Sequence, residues 1–351
     1  MKSILVTGAS GFIGSFIVEE AIRRGMDVWA GVRATSSRRY LQHPAIHFIE
    51  LDLSSPEKLA AQLKTYRDEG ITSDNATAGD KTAHCPLTWD VVVHCAGVTK
   101  CADAADFDRV NHRQTLRLAQ TLRELGMMPR QFIFLSTLSI FGPIHDRDFR
   151  PIRLDDEPRP NTAYGRSKLR AEQALAAMDD LPYVFLRPTG VYGPRERDYY
   201  LAMQSIARHV DFAAGRGRQD LTFVHVSDVV QAVFLAIDRG VTRRAYLLSD
   251  GQVYATRTFS DLVRRELGRP WVLRFACPLA LLGVICSVAG WWAALRGRTS
   301  TLNRDKYRIM RQRSWQCDIG PAVSELGYRP AYDLEQGVRQ TVAWYRAEGW
   351  L

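Results

Sequence analysis

Thr7-Gly8-Ala9-Ser10-Gly11-Phe12-Ile13-Gly14 is the stretch that decides the fold. A short apolar run, residues 2–7, leads into it, and a helical pattern follows through Arg24. The order is therefore buried strand, glycine turn, helix. Each glycine keeps a side chain out of a crowded place. Gly8 permits the tight turn, Gly11 lets backbone approach a phosphate, and Gly14 lets the helix pack on the strand. The uncapped N–H groups of that helix attract anionic oxygen. At the head of an α/β pattern, this spacing points to a dinucleotide pyrophosphate held on backbone atoms, with Thr7, Phe12 and Ile13 beside it.

The pattern continues outward from this turn. Asp27–Val32 and Ala45–Glu50 read as the second and third strands, and Pro56 starts a helix. Residues 67–89 are polar and aperiodic and read as a surface insertion. Asp90–Cys95 is a continuous apolar strand, followed by a helix through about Leu125. Gln131–Ser136 is a fifth strand, a helix spans about 162–178, and Tyr183–Arg187 is a sixth strand. Apolar strands alternating with helices predict an α/β fold, a Rossmann-type doubly wound parallel sheet. Past Pro188 the alternation loosens into a smaller C-terminal substrate-binding region. The expected division is 1–187 for the dinucleotide domain, with 225–250 returning to it, and 188–224 plus 251–351 for the substrate region. Thr222–Leu235 and Arg244–Leu248 carry the returning helix and strand, and Asp228 is placed to cap that helix.

The 351 residues are 46% hydrophobic and 24% charged, which suits a folded globular protein. The formal charge is +9, carried by 40 arginines against 7 lysines. No basic helix interleaved with stacking aromatics stands out, so nucleic acid is not the expected partner. The six cysteines show no Cys-x-x-Cys pairing and read as reduced thiols of a cytoplasmic protein; no metal-ligand set is expected. Met1-Lys2 runs straight into a strand, with no signal peptide pattern between.

The end of the second strand selects between nicotinamide cofactors. An acid there binds the ribose 2′-hydroxyl, whereas arginine accommodates a 2′-phosphate. Here Gly31-Val32-Arg33 is followed by Arg38 and Arg39, which favours NADP over NAD. Asp52-Leu53, after the third strand, suits the adenine ring.

Tyr164 and Lys168 lie four apart in Tyr-Gly-Arg-Ser-Lys and so share one helix face. A free phenol titrates near ~10. A neighbouring ammonium and a cationic nicotinamide both stabilise phenolate, so the expected pKa of Tyr164 falls and the phenol becomes a general acid or base. A lysine ammonium also suits the nicotinamide ribose hydroxyls better than a planar guanidinium.

With these residues the chain resembles the extended short-chain dehydrogenase/reductase family over almost its whole length. The matching segments are the glycine turn, Asp52-Leu53, His94-Cys95-Ala96-Gly97, Val110-Asn111, Leu135 to Gly142, Tyr164 to Lys168, and Arg187 to Pro194. The resemblance implies that Thr137 is the catalytic hydroxyl, polarising the substrate oxygen, and that Asn111 supports a proton-relay water. It implies cofactor contacts at Cys95, Ala96 and Gly97, and a backbone passing the nicotinamide amide from Pro188 through Thr189 and Gly190 to Val191. It also implies a homodimer through helix packing. Thr99, Tyr192 and Arg195 sit in loops where they would face substrate.

Sugar-nucleotide epimerases and dehydratases share this scaffold, so fold alone does not choose the substrate. Those enzymes usually carry an asparagine where this chain has Gly190, and an arginine contacting diphosphate where it has Leu221; Arg216 and Arg218 lie close enough to compensate. Residues 275–295 form an uncharged run long enough to span a bilayer. Both flanks are basic, which gives no positive-inside preference. The alternatives are an interfacial helix at the inner membrane face and a buried helix lining an apolar pocket. Either suits an apolar substrate, and the run is similar in composition to the tail of the 3β-hydroxysteroid dehydrogenase and dihydroflavonol reductase branch. The leading expectation is therefore alcohol–ketone interconversion on a steroid-like or polycyclic substrate. The alternatives are a sugar-nucleotide epimerase or dehydratase, and a dinucleotide-sensing protein without chemistry.

Overall fold

A computed structural model describes residues 1–69, 88–101, 103–296 and 304–351. Most of the expected insertion at 67–89, with Cys85, lies outside the described residues.

Seven strands form the central sheet: β1 Ser3–Thr7, β2 Asp27–Val32, β3 Ile46–Glu50, β4 Val91–His94, β5 Gln131–Leu135, β6 Tyr183–Pro188 and β7 Arg244–Leu248. Their order is β7-β6-β5-β4-β1-β2-β3, and every neighbouring pair is parallel. Chain direction across the sheet reverses between β1 and β4, whose last residues Thr7 and His94 are register partners. A parallel sheet of this topology opens its ligand crevice at that point.

The strands are apolar throughout because both faces are covered. Ile4, Val6 and Val93 pack with the helices Phe12–Arg23 and Val226–Arg239 on one face. Leu5, Val92 and Phe134 pack on the other with Leu118, Leu122 and Ala171. Full burial of each such side chain contributes about 1.5–3 kcal/mol.

Beyond Pro188 the chain builds smaller pieces. Gly190–Tyr192 pairs with Phe223–His225, and Val210–Ala214 pairs with Leu273–Cys277, both in parallel. A third core joins Tyr192, Met203, Phe223, Phe259, Val338 and Tyr345. The division expected from sequence misses one return: Ala322, Leu326 and Tyr328 pack into the main core beside β7.

Two local features also depart from expectation. The returning helix starts at Val226, capped by the His225 imidazole, which accepts from Ser227 N. Asp228 is not the cap; it accepts from Ala331 N at 2.7 Å and pins the C-terminal segment. The helix after β4 is not uniform either. It runs Ala104–Phe107, widens into a π-helical turn at Asp108–Arg113, and resumes as Gln114–Glu124. Such turns often sit at functional sites, and this one contains Asn111.

Candidate active site

The glycine turn is built as its spacing requires. Gly8 has φ +67°, and a Cβ there would fall 2.7 Å from Ala96 N, at the end of β4. A Cβ on Gly14 would collide with Gly8 O. Gly11 N donates to Gly8 O at 2.9 Å, and no side chain caps the helix that begins at Phe12. The first-turn N–H groups therefore have no side-chain competitor for an anion.

Below this turn runs a buried hydrogen-bond chain. The Thr115 hydroxyl donates to Asn111 O at 2.9 Å, so His94 Nε2–H must donate to Thr115 Oγ1, at 2.9 Å. His94 Nδ1 then accepts from the Thr7 hydroxyl at 2.7 Å. Burial, with a smaller push from Lys168, holds His94 down at about 3, so it is a neutral structural link. Cys95 is driven up to about 12 by burial and is no nucleophile.

The helix that carries Tyr164 and Lys168, the expected catalytic helix, is Ala163–Ala176. Thr162 caps it by accepting from Gly165 N at 3.0 Å, and Asp305 accepts from Ala163 N at 2.6 Å. A Cβ on Gly165 would collide with Ser139 O, so glycine lets this helix close onto the 137–140 turn. That approach brings the Thr137 side chain into hydrogen-bonding reach of the Tyr164 phenol. One turn along, Lys168 Nζ donates to Leu135 O at 2.7 Å and lies 4.4 Å from the Phe134 ring centroid.

Asn111 Oδ1 accepts from Val98 N at 2.8 Å, while Nδ2 donates to Val98 O at 2.9 Å and Ser167 Oγ at 3.1 Å. Ser167 in turn donates to Tyr164 O at 2.8 Å. Asn111 thus locks the 96–98 loop to the catalytic helix. Gly97 borders both groups: a Cβ there would lie 3.0 Å from Asn111 Oδ1 and 3.5 Å from Lys168 Nζ.

Without a nicotinamide beside it, burial pushes the Tyr164 phenol up to about 12 against a smaller lowering by Thr137, and the Lys168 ammonium is turned to the Leu135 carbonyl. Burial also brings Lys168 down to about 8, opposed by Cys95 and Glu172. The resting pair is a protonated phenol beside an easily titrated amine.

Glu172 was missed by the sequence reading. It continues the Tyr164, Lys168 row at i+4 spacing, and Arg187 of β6 forks onto it at 2.6 and 3.0 Å. Glu172 is buried and Arg187 only 12% exposed at its side chain, and the pair fixes the Tyr164–Lys168 helix to the sheet.

Other expected residues are distributed as follows. Arg33 and Arg38 are exposed after β2, with the Arg38 guanidinium 4.0 Å from the Phe48 ring centroid, whereas Arg39 pairs with Glu348 at 2.9 Å. Asp52 accepts from Ser54 N at 3.0 Å, and Leu53 packs at the edge of the core. Ile13 packs against the main core and Phe12 against Phe16. Pro188 pairs with Leu248, Thr189 hydrogen-bonds Thr222 Oγ1 at 2.8 Å, and Gly190 and Val191 form the short strand beyond. Thr99 is exposed beside Lys100, which is ion-paired to Asp198.

Two substrate expectations are corrected. Tyr192 is buried in the third core, and its hydroxyl donates to Asp333 O at 3.3 Å. Arg195 folds back on the first helix, donating to Ser15 Oγ at 3.0 Å and Glu19 at 2.6 Å between the rings of Phe16 and Tyr40. Loop placement suggested exposure, and aromatic packing overrode it. Among the described residues no group of His, Cys, Asp and Glu side chains is arranged to hold a metal ion.

These residues fit a nicotinamide dinucleotide. The uncapped helix and its glycines would take the pyrophosphate, and Lys168 and Tyr164 would flank the nicotinamide ribose at the sheet's switch point. Turn, switch point and Tyr–Lys helix together define an enzyme of the short-chain dehydrogenase/reductase class. The chain belongs to the NAD dependent epimerase/dehydratase family, whose model matches residues 4–84 and 73–249. It is similar to UDP-glucose 4-epimerase of Vibrio cholerae, 24% identical over 97% of this chain and 94% of that protein. It is also similar to ceramide reductase of Caulobacter vibrioides, 23% identical over 99% and 96%. Its fold is that of dTDP-glucose 4,6-dehydratase from Bacillus anthracis in complex with NAD, with TM-score 0.74 and 18% identity over 100% and 98% of the two chains.

Proposed function

We propose that this enzyme interconverts a secondary alcohol and a ketone on an apolar, polycyclic or lipid-like substrate, with NADP as the preferred cofactor. One observation carries the choice of substrate class. A Cβ at Gly190 would collide with the Tyr199 hydroxyl, so an aromatic ring takes the space beside the backbone where sugar-nucleotide enzymes usually place an amide. That ring packs on Phe223 and Phe259, with centroids 6.1 and 5.3 Å away. The alternative, a sugar-nucleotide epimerase or dehydratase, is favoured by the Vibrio cholerae relative. It needs a cation for the diphosphate; Arg218 is already committed to Asp220 at 2.6 Å, which leaves that role to the exposed Arg216. The exposed arginines Arg33 and Arg38, with no acid at that turn, support a 2′-phosphate. A cytoplasmic setting and a homodimer remain part of the same proposal.

A nicotinamide, when bound, would supply or accept the hydride. The protein's share is proton movement and positioning. Tyr164 is protonated at neutral pH and so donates to the ketone oxygen as charge develops there. The Thr137 hydroxyl stands beside the phenol and hydrogen-bonds the same oxygen. Lys168, one helical turn from Tyr164 and brought down to about 8 by burial, would hold the nicotinamide ribose hydroxyls. Asn111 holds the loop and helix that frame this pair.

The test is the absorbance of reduced nicotinamide with NADPH or NADH, against ketosteroids, ketolipids and UDP- or dTDP-sugars. Stoichiometric oxidation with an apolar ketone is expected, faster with NADPH. Conversion of a sugar nucleotide without net oxidation would replace this proposal with the alternative.

A further inference from the structure

The helix Leu279–Leu295 turns a continuous apolar face to solvent. Leu281, Val284, Ile285, Val288, Trp291 and Trp292 recur at helical spacing and are all exposed, Val288 by 58% and Trp291 by 62%. The opposite face is spent inside the protein: Leu282 and Cys286 are buried, and Gly283 lies against the Tyr307 ring of the helix Arg304–Arg311. The strand pair that leads into this helix repeats the feature. Val210 and Phe212 are exposed beside their register partners Leu273 and Phe275. An exposed apolar surface of this extent marks an interaction site.

Charge says what the partner is. Between Glu266 and Asp305 the chain carries five arginines and no acid; Arg274 is paired with Asp261 and lies 3.8 Å from Asp211, and the other four leave the segment net basic. Two copies of this face brought together would oppose like charges, which disfavours self-association. An anionic, apolar surface satisfies both features. Trp291 and Trp292 stand where ring and headgroup region suit each other, with the Arg296 guanidinium 4.5 Å from the Trp292 ring centroid. No helix among the described residues is long and apolar enough to cross a membrane.

We infer that the outward face of Leu279–Leu295, with the Val210/Leu273 strand pair beside it, docks on the surface of a bilayer containing anionic lipid. The helix lies in the interface plane, its apolar side in the acyl boundary and its flanking arginines on lipid phosphates. The docked element is tied to the chemistry, because Asp305 of the neighbouring helix holds the N-terminus of the catalytic helix at Ala163 N. A substrate dissolved in the bilayer would thus meet the enzyme close to Tyr164. The docking inference stands on this surface alone and does not depend on which substrate the enzyme turns over.

The experiment is co-sedimentation of the full chain with phosphatidylcholine vesicles, with and without phosphatidylglycerol. Binding is expected at least about tenfold stronger with phosphatidylglycerol and weakened by salt. Val284→Glu with Val288→Glu should lower it by a similar factor at an unchanged melting midpoint. Trp291→Ser with Trp292→Ser, a milder pair for the case where the acidic one fails to fold, should remove a vesicle-induced blue shift in tryptophan emission. Wild-type protein left in the supernatant with both vesicle types would overturn the inference. So would a dimer in sedimentation velocity that Val288→Glu dissolves, because the face would then be covered by a second copy. Turnover is not read, so the result is independent of the substrate assays.

Discussion

Leu5 and Leu281 are both leucines in uncharged runs, yet Leu5 is 0% exposed and Leu281 is 52% exposed. The first lies in a strand hydrogen-bonded on both sides, in a sheet with helices on both faces. The second lies on a helix with one covered side. The difference teaches that apolar composition marks a segment for removal from water without saying what removes it. In the dinucleotide half the chain covers itself. In the C-terminal half it leaves an apolar helix face exposed.

The largest expected effect tests the chemistry that the sheet positions. Tyr164→Phe should lower turnover by about 10²–10⁴-fold, the range for losing a general acid. Cofactor titration should be unchanged, and a variant keeping more than a few per cent of the rate would break the assignment.

Next comes the anchor of the catalytic helix. Glu172→Ala leaves the Arg187 guanidinium buried without its partner and should cost about 3–5 kcal/mol in denaturant unfolding. The double variant Glu172→Leu with Arg187→Met should recover most of that loss. Failure to recover would mean that the pair does more than pin the helix to β6.

The comparison itself is sharpened by two truncations. Leu5→Ala should destabilise by about 2–5 kcal/mol, whereas Leu281→Ala should stay within about 0.5 kcal/mol. Equal losses would show that the helix face is covered in solution.

The last effect is confined to acid pH and is a slope in stability. His94 titrates at about 3 in the folded protein against an ordinary value of 6.5. Between those values the unfolded chain binds the extra proton, so stability falls as pH drops below 6.5 and is unaffected by this group above it. Unfolding midpoints of wild type and His94→Gln, followed from neutral to acid pH, should differ in slope only on the acid side.

Much of the site was legible before the structure. Gly8, Gly14, Tyr164 and Lys168 are local devices, in which the spacing along the chain is also the geometry in space. Asn111 and Thr137 needed the family resemblance, and the structure supplies the π-turn and the Gly165 approach that place them. Glu172 was one helical turn beyond the last residue considered, and only its partner on β6 makes it significant. Tyr192 and Arg195 went wrong because a loop position does not reveal where a side chain turns. Both were captured by aromatic neighbours distant in sequence.

The sequence alone determined the parallel sheet, the glycine cradle and the Tyr–Lys row, because these follow from periods of two and 3.6 residues and from backbone sterics. Tertiary structure alone decided that Lys168 turns to Leu135, that burial raises the Tyr164 phenol, that Tyr199 fills the space at Gly190, and which face of Leu279–Leu295 meets solvent. Those outcomes depend on burial and on partners far along the chain, and neither is written in local spacing.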